Sequence, residues 1–202
     1  MIRLITVLIA LSLVACDGTK KENVTETRGE VKEEPAVDRG VTIQEQSGPD
    51  SLKGSLKAFA DAVIGEAQIS LNYYSPAVRG RVIWGGLVPY DQVWVTGAHK
   101  ATSIEFDRNI RIGDTTIEPG KYALFTIPGR EQWAIIFNKN WDQHLTDEYD
   151  QKDDVVRVQV DPTRSDQHQE RLRYQLHVDN ATNGHIEIQW EKVVITLPFE
   201  VI

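Results

Sequence analysis

The sequence predicts an all-β domain, an antiparallel sandwich or barrel-like fold of about ten strands, behind a signal peptide and a flexible tether. Three observations point there. Apolar and polar residues alternate with a period of two over many short stretches. Turn pairs such as Gly113-Asp114, Pro119-Gly120, Pro128-Gly129 and Asn183-Gly184 separate those stretches, and no helical stripe is sustained over the domain. No repeat of fixed period is present.

Taken in order, Leu56, Phe59, Ala60 and Val63 also fit a helical stripe, but Gly65-Glu66 directly before an alternating run favours a hairpin there. In that run Ile69, Leu71 and Tyr73 alternate with Ser70, Asn72 and Tyr74. Val82 to Trp84 and Val93 to Thr96 are the next strand candidates. Thr102, Ile104 and Phe106 then alternate with Ser103 and Glu105, which places Ser103 and Glu105 on the face away from the core. Ile110-Arg111-Ile112 and Thr115-Thr116-Ile117 flank Gly113-Asp114 as a hairpin. Tyr122 to Ile127, Trp133 to Phe137, Val155 to Val160, Leu172 to Val178 and His185 to Glu191 follow. Val193, Ile195, Leu197, Phe199 and Val201 form the longest alternating run. The charged stretch Asp166 to Arg173, with His168, reads as an exposed loop.

The first residues carry an address. Arg3, an apolar run from Leu4 to Val14 and the sequence Leu13-Val14-Ala15-Cys16 form a lipoprotein signal peptide over residues 1–15. Eleven apolar-run residues are about half of what spans a bilayer as a helix. Cys16, the only cysteine, is the expected lipidation site, and two or three acyl chains there hold a protein to a membrane almost permanently. The expected location is the bacterial cell envelope, at the periplasmic face or the cell surface, with the membrane as a partner. Residues 16–51 form the expected tether. Between Asp17 and Asp50 nine acidic residues face five basic ones and no aromatic occurs, so little apolar surface is available to offset the entropy of ordering. All sixteen aromatics lie between Phe59 and Phe199, which sets the folded domain at 52–202.

Charge and motifs exclude several classes. The net charge is −8, from 22 Lys and Arg against 30 Asp and Glu, and there is no basic run to neutralise phosphates, so no nucleic acid is expected as a partner. A single cysteine excludes an intramolecular disulfide framework. The sequence has no Gly-x-Ser-x-Gly nucleophile elbow and no His-Glu-x-x-His metal pair. Gly113 to Gly120 has the span of a phosphate loop without its Lys-Ser/Thr. No cofactor and no metal are implied.

Two polar clusters remain. In the first, Thr96, His99, Ser103 and Glu105 follow the aromatic faces of Tyr90 and Trp94, which predicts a pocket bordered by Tyr90, Trp94, His99 and Glu105. A loop folding back would bring His99 to Glu105 for general base chemistry. The second cluster runs from Asn138 to Asp150 and contains Trp141, His144 and Asp147. Such a loop suits a sugar stacked on Trp141, or a calcium ion held by its oxygens, although EF-hand spacing is absent. His177 and His185 flank the last hairpin, and pairing Val178 with His185 places the two rings on opposite faces. The leading functional expectation is a non-catalytic module that binds a small ligand, a glycan or an envelope protein. The alternative is a hydrolase-type enzyme using His99 with Glu105, or the His144–Asp147 loop.

Longer blocks carry a resemblance. Tyr74-Ser75-Pro76-Ala77-Val78-Arg79-Gly80-Arg81-Val82-Ile83-Trp84-Gly85-Gly86-Leu87-Val88-Pro89-Tyr90, Val93-Trp94-Val95-Thr96-Gly97-Ala98 and Ala101-Thr102 are followed by Pro119 to Gly129, Ile135 to Lys139 and Trp190-Glu191-Lys192. Over roughly 56–202 these blocks resemble, in the same order, the bacterial family called domain of unknown function 2911. The chain has Val95 where an Arg usually follows the Trp, and His99-Lys100 where Asn-Glu is common. The resemblance implies a secreted or lipid-anchored protein and no established activity.

Overall fold

The structure, a computed structural model, describes residues 39–202; the expected signal peptide, the expected lipidation site Cys16 and the expected tether up to residue 38 lie outside the described residues. Among the described residues ten strands are present: β1 (Leu56–Ile64), β2 (Ala67–Ser75), β3 (Thr102–Phe106), β4 (Ile110–Ile112), β5 (Thr115–Ile117), β6 (Gly120–Ile127), β7 (Trp133–Asn138), β8 (Asp154–Val160), β9 (Thr163–Val178) and β10 (Asn183–Val201). They form a six-stranded sheet in the order β1-β2-β3-β6-β7-β8 and a four-stranded sheet in the order β5-β4-β10-β9. Every pairing between these strands is antiparallel. Two packed sheets make the fold a sandwich, not a closed barrel.

The period of two does what it predicts. Ile69, Leu71 and Tyr73, Ile104 and Phe106, and Leu124, Ile135 and Phe137 turn inward from the large sheet. There they meet Ile186, Ile188, Trp190, Ile195, Leu197 and Phe199 of β10. Burying one such side chain contributes about 1.5–3 kcal/mol, so this interface is the main stabilising term. The hairpin expected at Gly65-Glu66 forms, with Ile64 opposite Ala67. Gly65 sits at φ +59, and a Cβ there would stand 2.8 Å from the carbonyl oxygen of Ala181.

β6 and β7 are buried on both faces. Ala123, Phe125 and Ile136 point away from the central core and form a second cluster with Val95 and Ala101. This outer cluster explains the unbroken apolar runs of the two strands, which no single buried face requires.

Four stretches differ from the sequence expectation. Val82 to Trp84 and Val93 to Thr96 are not strands; residues 76–101 run irregularly, with isolated bridges at Ala77–Arg171, Trp84–Val88, Trp94–Thr126 and Lys100–His144. Left-handed backbone at Arg79, Gly80, Gly85, Asp91, Thr96 and His99 interrupts the pleat, and Val82 is 74% exposed. The stretch Asp166 to Arg173 is strand, not exposed loop, since β9 begins at Thr163 and Gln169, Glu170, Arg171 and Leu172 are buried. The runs 185–191 and 193–201 are one bent strand, β10, whose register shifts at Gln189, Glu191 and Val193. His177 and His185 face each other directly, with stacked rings 4.4 Å apart, because Gly184 rather than His185 pairs with Val178. A one-residue change of register moves a side chain to the other face.

Residues 41–54, which composition assigns mostly to the tether, lie against the domain. Val41 pairs with Ala58, Ile43 is buried, and the carbonyl of Gln46 accepts from Glu170 N at 2.7 Å. Arg171, 1% exposed, holds this strap. Its Nε and Nη2 donate to the two carboxylate oxygens of Asp50, Nη2 also to Leu52 O at 3.0 Å, and Nη1 to Gly54 O and Ser75 O at 3.2 and 3.1 Å. The guanidinium holds the Asp50 carboxyl well below the usual carboxylate range.

Candidate functional site

Two loops meet over the outer face of the six-stranded sheet. Residues 93–101 and 139–150 join through a short ladder: Ala101 N donates to Gln143 O at 3.0 Å, Leu145 N donates to His99 O at 2.7 Å, and Lys100 bridges His144. Lys100 Nζ and Asp142 Oδ1 close it at 2.9 Å, which raises the Lys100 pKa through that hydrogen bond and charge. Three residues at this clasp adopt left-handed backbone: Thr96 at φ 51, His99 at φ 63 and Leu145 at φ 48. For a β-branched residue such as Thr96 this is strained, and it persists only where surrounding bonds over-determine it. They do so here. The Thr96 hydroxyl bonds Trp94 O at 3.1 Å and Thr126 Oγ1 at 2.9 Å, and its carbonyl accepts from Thr102 Oγ1 at 3.0 Å and Tyr174 OH at 2.9 Å. Burial pushes the Tyr174 phenol well above its ordinary range, so it remains a donor.

The clasp has a cavity on each side. One, of about 370 Å³, is walled by Trp94, Trp190, Val88, Leu87 and Leu145, with Arg81 and His99 as its charged or titratable groups. Trp94 stacks on Trp190 at 5.7 Å, and Trp84 and Trp133 complete a four-ring cluster behind them. The Tyr74 ring meets the His99 imidazole edge-on at 5.1 Å. The other cavity, of about 280 Å³, has Asn72, Ser103 and Lys121 on its sheet floor and Trp141, Asp142 and Lys100 on its loop wall.

The residues singled out in the sequence therefore divide. Trp94 and His99 line the first cavity, Ser103 and Trp141 the second, and Glu105 a third, of about 360 Å³, beside Asp61 and Asp107. Tyr90 lines none of these; its ring packs against Gly85 and carries the Arg130 guanidinium 4.6 Å from its centroid. The expected pocket bordered by Tyr90, Trp94, His99 and Glu105 thus does not form. Glu105 lies two residues along β3 from Ser103, opposite Ser70 and Lys121, which carries it away from the clasp. Thr96 is fully buried and serves the backbone. His144 Nδ1 does lie 2.9 Å from Asp147 Oδ2, but both side chains are exposed, and no hydroxyl or thiol bonds the imidazole among the described residues. Among the described residues no cluster of three metal-binding side chains occurs.

Sequence reasoning missed Arg81, Trp190, Asn72 and Lys121 as cavity residues. Alternation along β2 and β6 already sets Asn72 and Lys121 on the outward face. Trp190 and Arg81 carry no such signal, since the bend of β10 and the irregular path of residues 76–101 place them.

The class of protein defined here is a β-sandwich with loop-walled clefts on one sheet face. The model of the family described as Protein of unknown function (DUF2911) matches residues 55–199, and the chain belongs to that family. No curated protein matches it. No solved structure does so either.

Proposed function

We propose that the domain is a non-catalytic binding module, held at the bacterial envelope by lipid on Cys16, which takes a small amphipathic anion in the Trp94 cleft. One observation carries the reading: an open, mostly apolar cavity of about 370 Å³ has a guanidinium at its wall and no carboxylate beside it. Arg81 Nε donates to Val78 O at 3.1 Å and Nη2 to Ala77 O, and it forms no ion pair among the described residues. Carbonyl bonds position the cation while leaving its charge uncompensated, which suits a carboxylate whose apolar body lies against Trp94 and Leu87. His99 adds a second polar contact. The His99–Glu105 pair that the enzymatic reading needs lines two different cavities.

Octanoate tests the ligand class. Ligand-observed NMR should show saturable binding that Arg81→Gln weakens by about tenfold, the effect of one charge-assisted hydrogen bond. Equal binding by Arg81→Gln, or none by the native domain, overturns it. Cys16→Ser should separately abolish labelling by a fatty-acid analogue and release the protein from membranes.

A further inference from the structure

The second cavity carries a different chemistry and does not rest on the first. Its floor is the outer face of the large sheet, where Asn72 stands opposite Ser103 in the ladder. Neither the Asn72 amide nor the Ser103 hydroxyl has a side-chain hydrogen bond among the described residues. Lys100 is neutralised by Asp142 at 2.9 Å. Lys121 forms no ion pair among the described residues: although Glu105 is its cross-strand partner, its ammonium lies 3.9 Å from the centroid of the Trp141 ring.

Trp141 is the odd tryptophan of the chain. The other four pack on one another with centroids 4.9–5.8 Å apart, whereas Trp141 is 38% exposed on a loop that the Lys100–Asp142 pair and the clasp hold in place. A flat aromatic face, the Lys121 ammonium free of any ion pair among the described residues, and an unpaired amide and hydroxyl converge on one space, which Lys57 also lines. Its volume, about 280 Å³, lies just under the usual range for ligand clefts and suits a single ring.

We propose that this cavity binds one acidic sugar ring of the hexuronic acid class. The C–H face of the ring packs on Trp141, the carboxylate takes Lys121, and ring hydroxyls bond Asn72 and Ser103. Lys121 discriminates acidic from neutral sugars, and Trp141 discriminates a ring from a bare anion.

The test follows the Trp141 indole N–H by NMR, assigned with Trp141→Phe, during titration with glucuronate, glucose and inorganic phosphate. Glucuronate should shift the signal saturably at millimolar concentration. Glucose should bind about tenfold more weakly, and phosphate should leave the indole signal in place. Lys121→Gln should bring glucuronate down to the level of glucose, and Ser103→Ala should weaken both sugars, with near-UV circular dichroism unchanged in each variant. Equal binding of glucose and glucuronate overturns the proposal, as does a phosphate shift matching that of glucuronate. So does the absence of any glucuronate shift at concentrations on the order of 10 mM.

Discussion

Arg171 and Lys121 are both cations held by their surroundings, the first by polar groups at the seam between the strap and β9, the second by an aromatic ring on the outer face of β6. Arg171 is almost fully buried, and its three nitrogens make five hydrogen bonds. Among the described residues Lys121 reaches only the face of Trp141. Arg81 stands between these cases, tied to two carbonyls without a carboxylate. The difference is one of saturation. A buried charge with every donor satisfied is a structural joint, costly to break and closed to ligands, whereas an unsaturated cation beside a cavity keeps its hydrogen-bonding capacity for something else.

The largest expected effect comes from unsaturating the joint. Asp50→Ala leaves the Arg171 guanidinium buried with only carbonyl partners, and loss of one member of a buried pair costs about 3–5 kcal/mol. The three carbonyl bonds put the expected loss near the low end of that range, read as a lower urea midpoint. Cleavage by protease within residues 41–52 should be slow in the native chain and fast in this variant. The same joint sets an acid limit. Because the folded-state pKa of Asp50 is depressed, its contribution is present above the unfolded carboxylate value near about 4 and fades as pH falls below it. Asp50→Asn should therefore flatten this part of the acid dependence of stability, and an unchanged profile would show that the pair does not anchor the strap.

The joint also shows where sequence reading stops. Strands with one buried face, such as β2 and β3, and the hairpins at Gly65 and Gly113 were legible because alternation and turn chemistry are local. Arg171 was not. In sequence Asp166 to Arg173 is a charged run and residues 41–54 are polar. Their burial follows from mutual hydrogen bonding across 121 positions, as between Arg171 and Asp50, which no local pattern encodes. His177 and His185 failed for a related reason, since a single step of register at the Asn183 turn decides which face they share. At the candidate site, Trp94, His99, Ser103 and Trp141 were recognisable by residue type. Their division between two cavities depends on the left-handed turns at Thr96, His99 and Leu145, and non-glycine residues give no sequence signal for such turns.

An intermediate effect is expected at the clasp, where a strained backbone is held by hydrogen bonds rather than by charge. Thr126→Val keeps the shape of the side chain but removes the Oγ1 that is hydrogen-bonded to the Thr96 hydroxyl oxygen at 2.9 Å. The expected cost is about 1 kcal/mol, the usual net worth of one hydrogen bond. Octanoate binding should weaken with it, because Thr96 lies between Trp94 and His99 on the loop that walls the first cleft. A loss of stability with unchanged binding would separate the clasp from the cleft.

The smallest effect on stability is expected where the largest effect on binding is proposed. Lys121→Gln and Arg81→Gln alter cations, the first half-buried and the second exposed, that form no ion pair among the described residues, so each should cost far less than Asp50→Ala. For Lys121 the cation–π contact with Trp141 is lost, worth about 0.5–1 kcal/mol, so its midpoint should fall slightly. Arg81→Gln gives up part-buried side-chain bonds to Val78 O and Ala77 O, which the Gln amide and water replace in part, so it too should lose no more than about 1 kcal/mol. Urea unfolding of the two variants beside Asp50→Ala compares all three cations in one measurement. If Lys121→Gln or Arg81→Gln unfolds as easily as Asp50→Ala, that cation belongs with Arg171 as a structural joint and its cavity loses the group assigned to hold the anion.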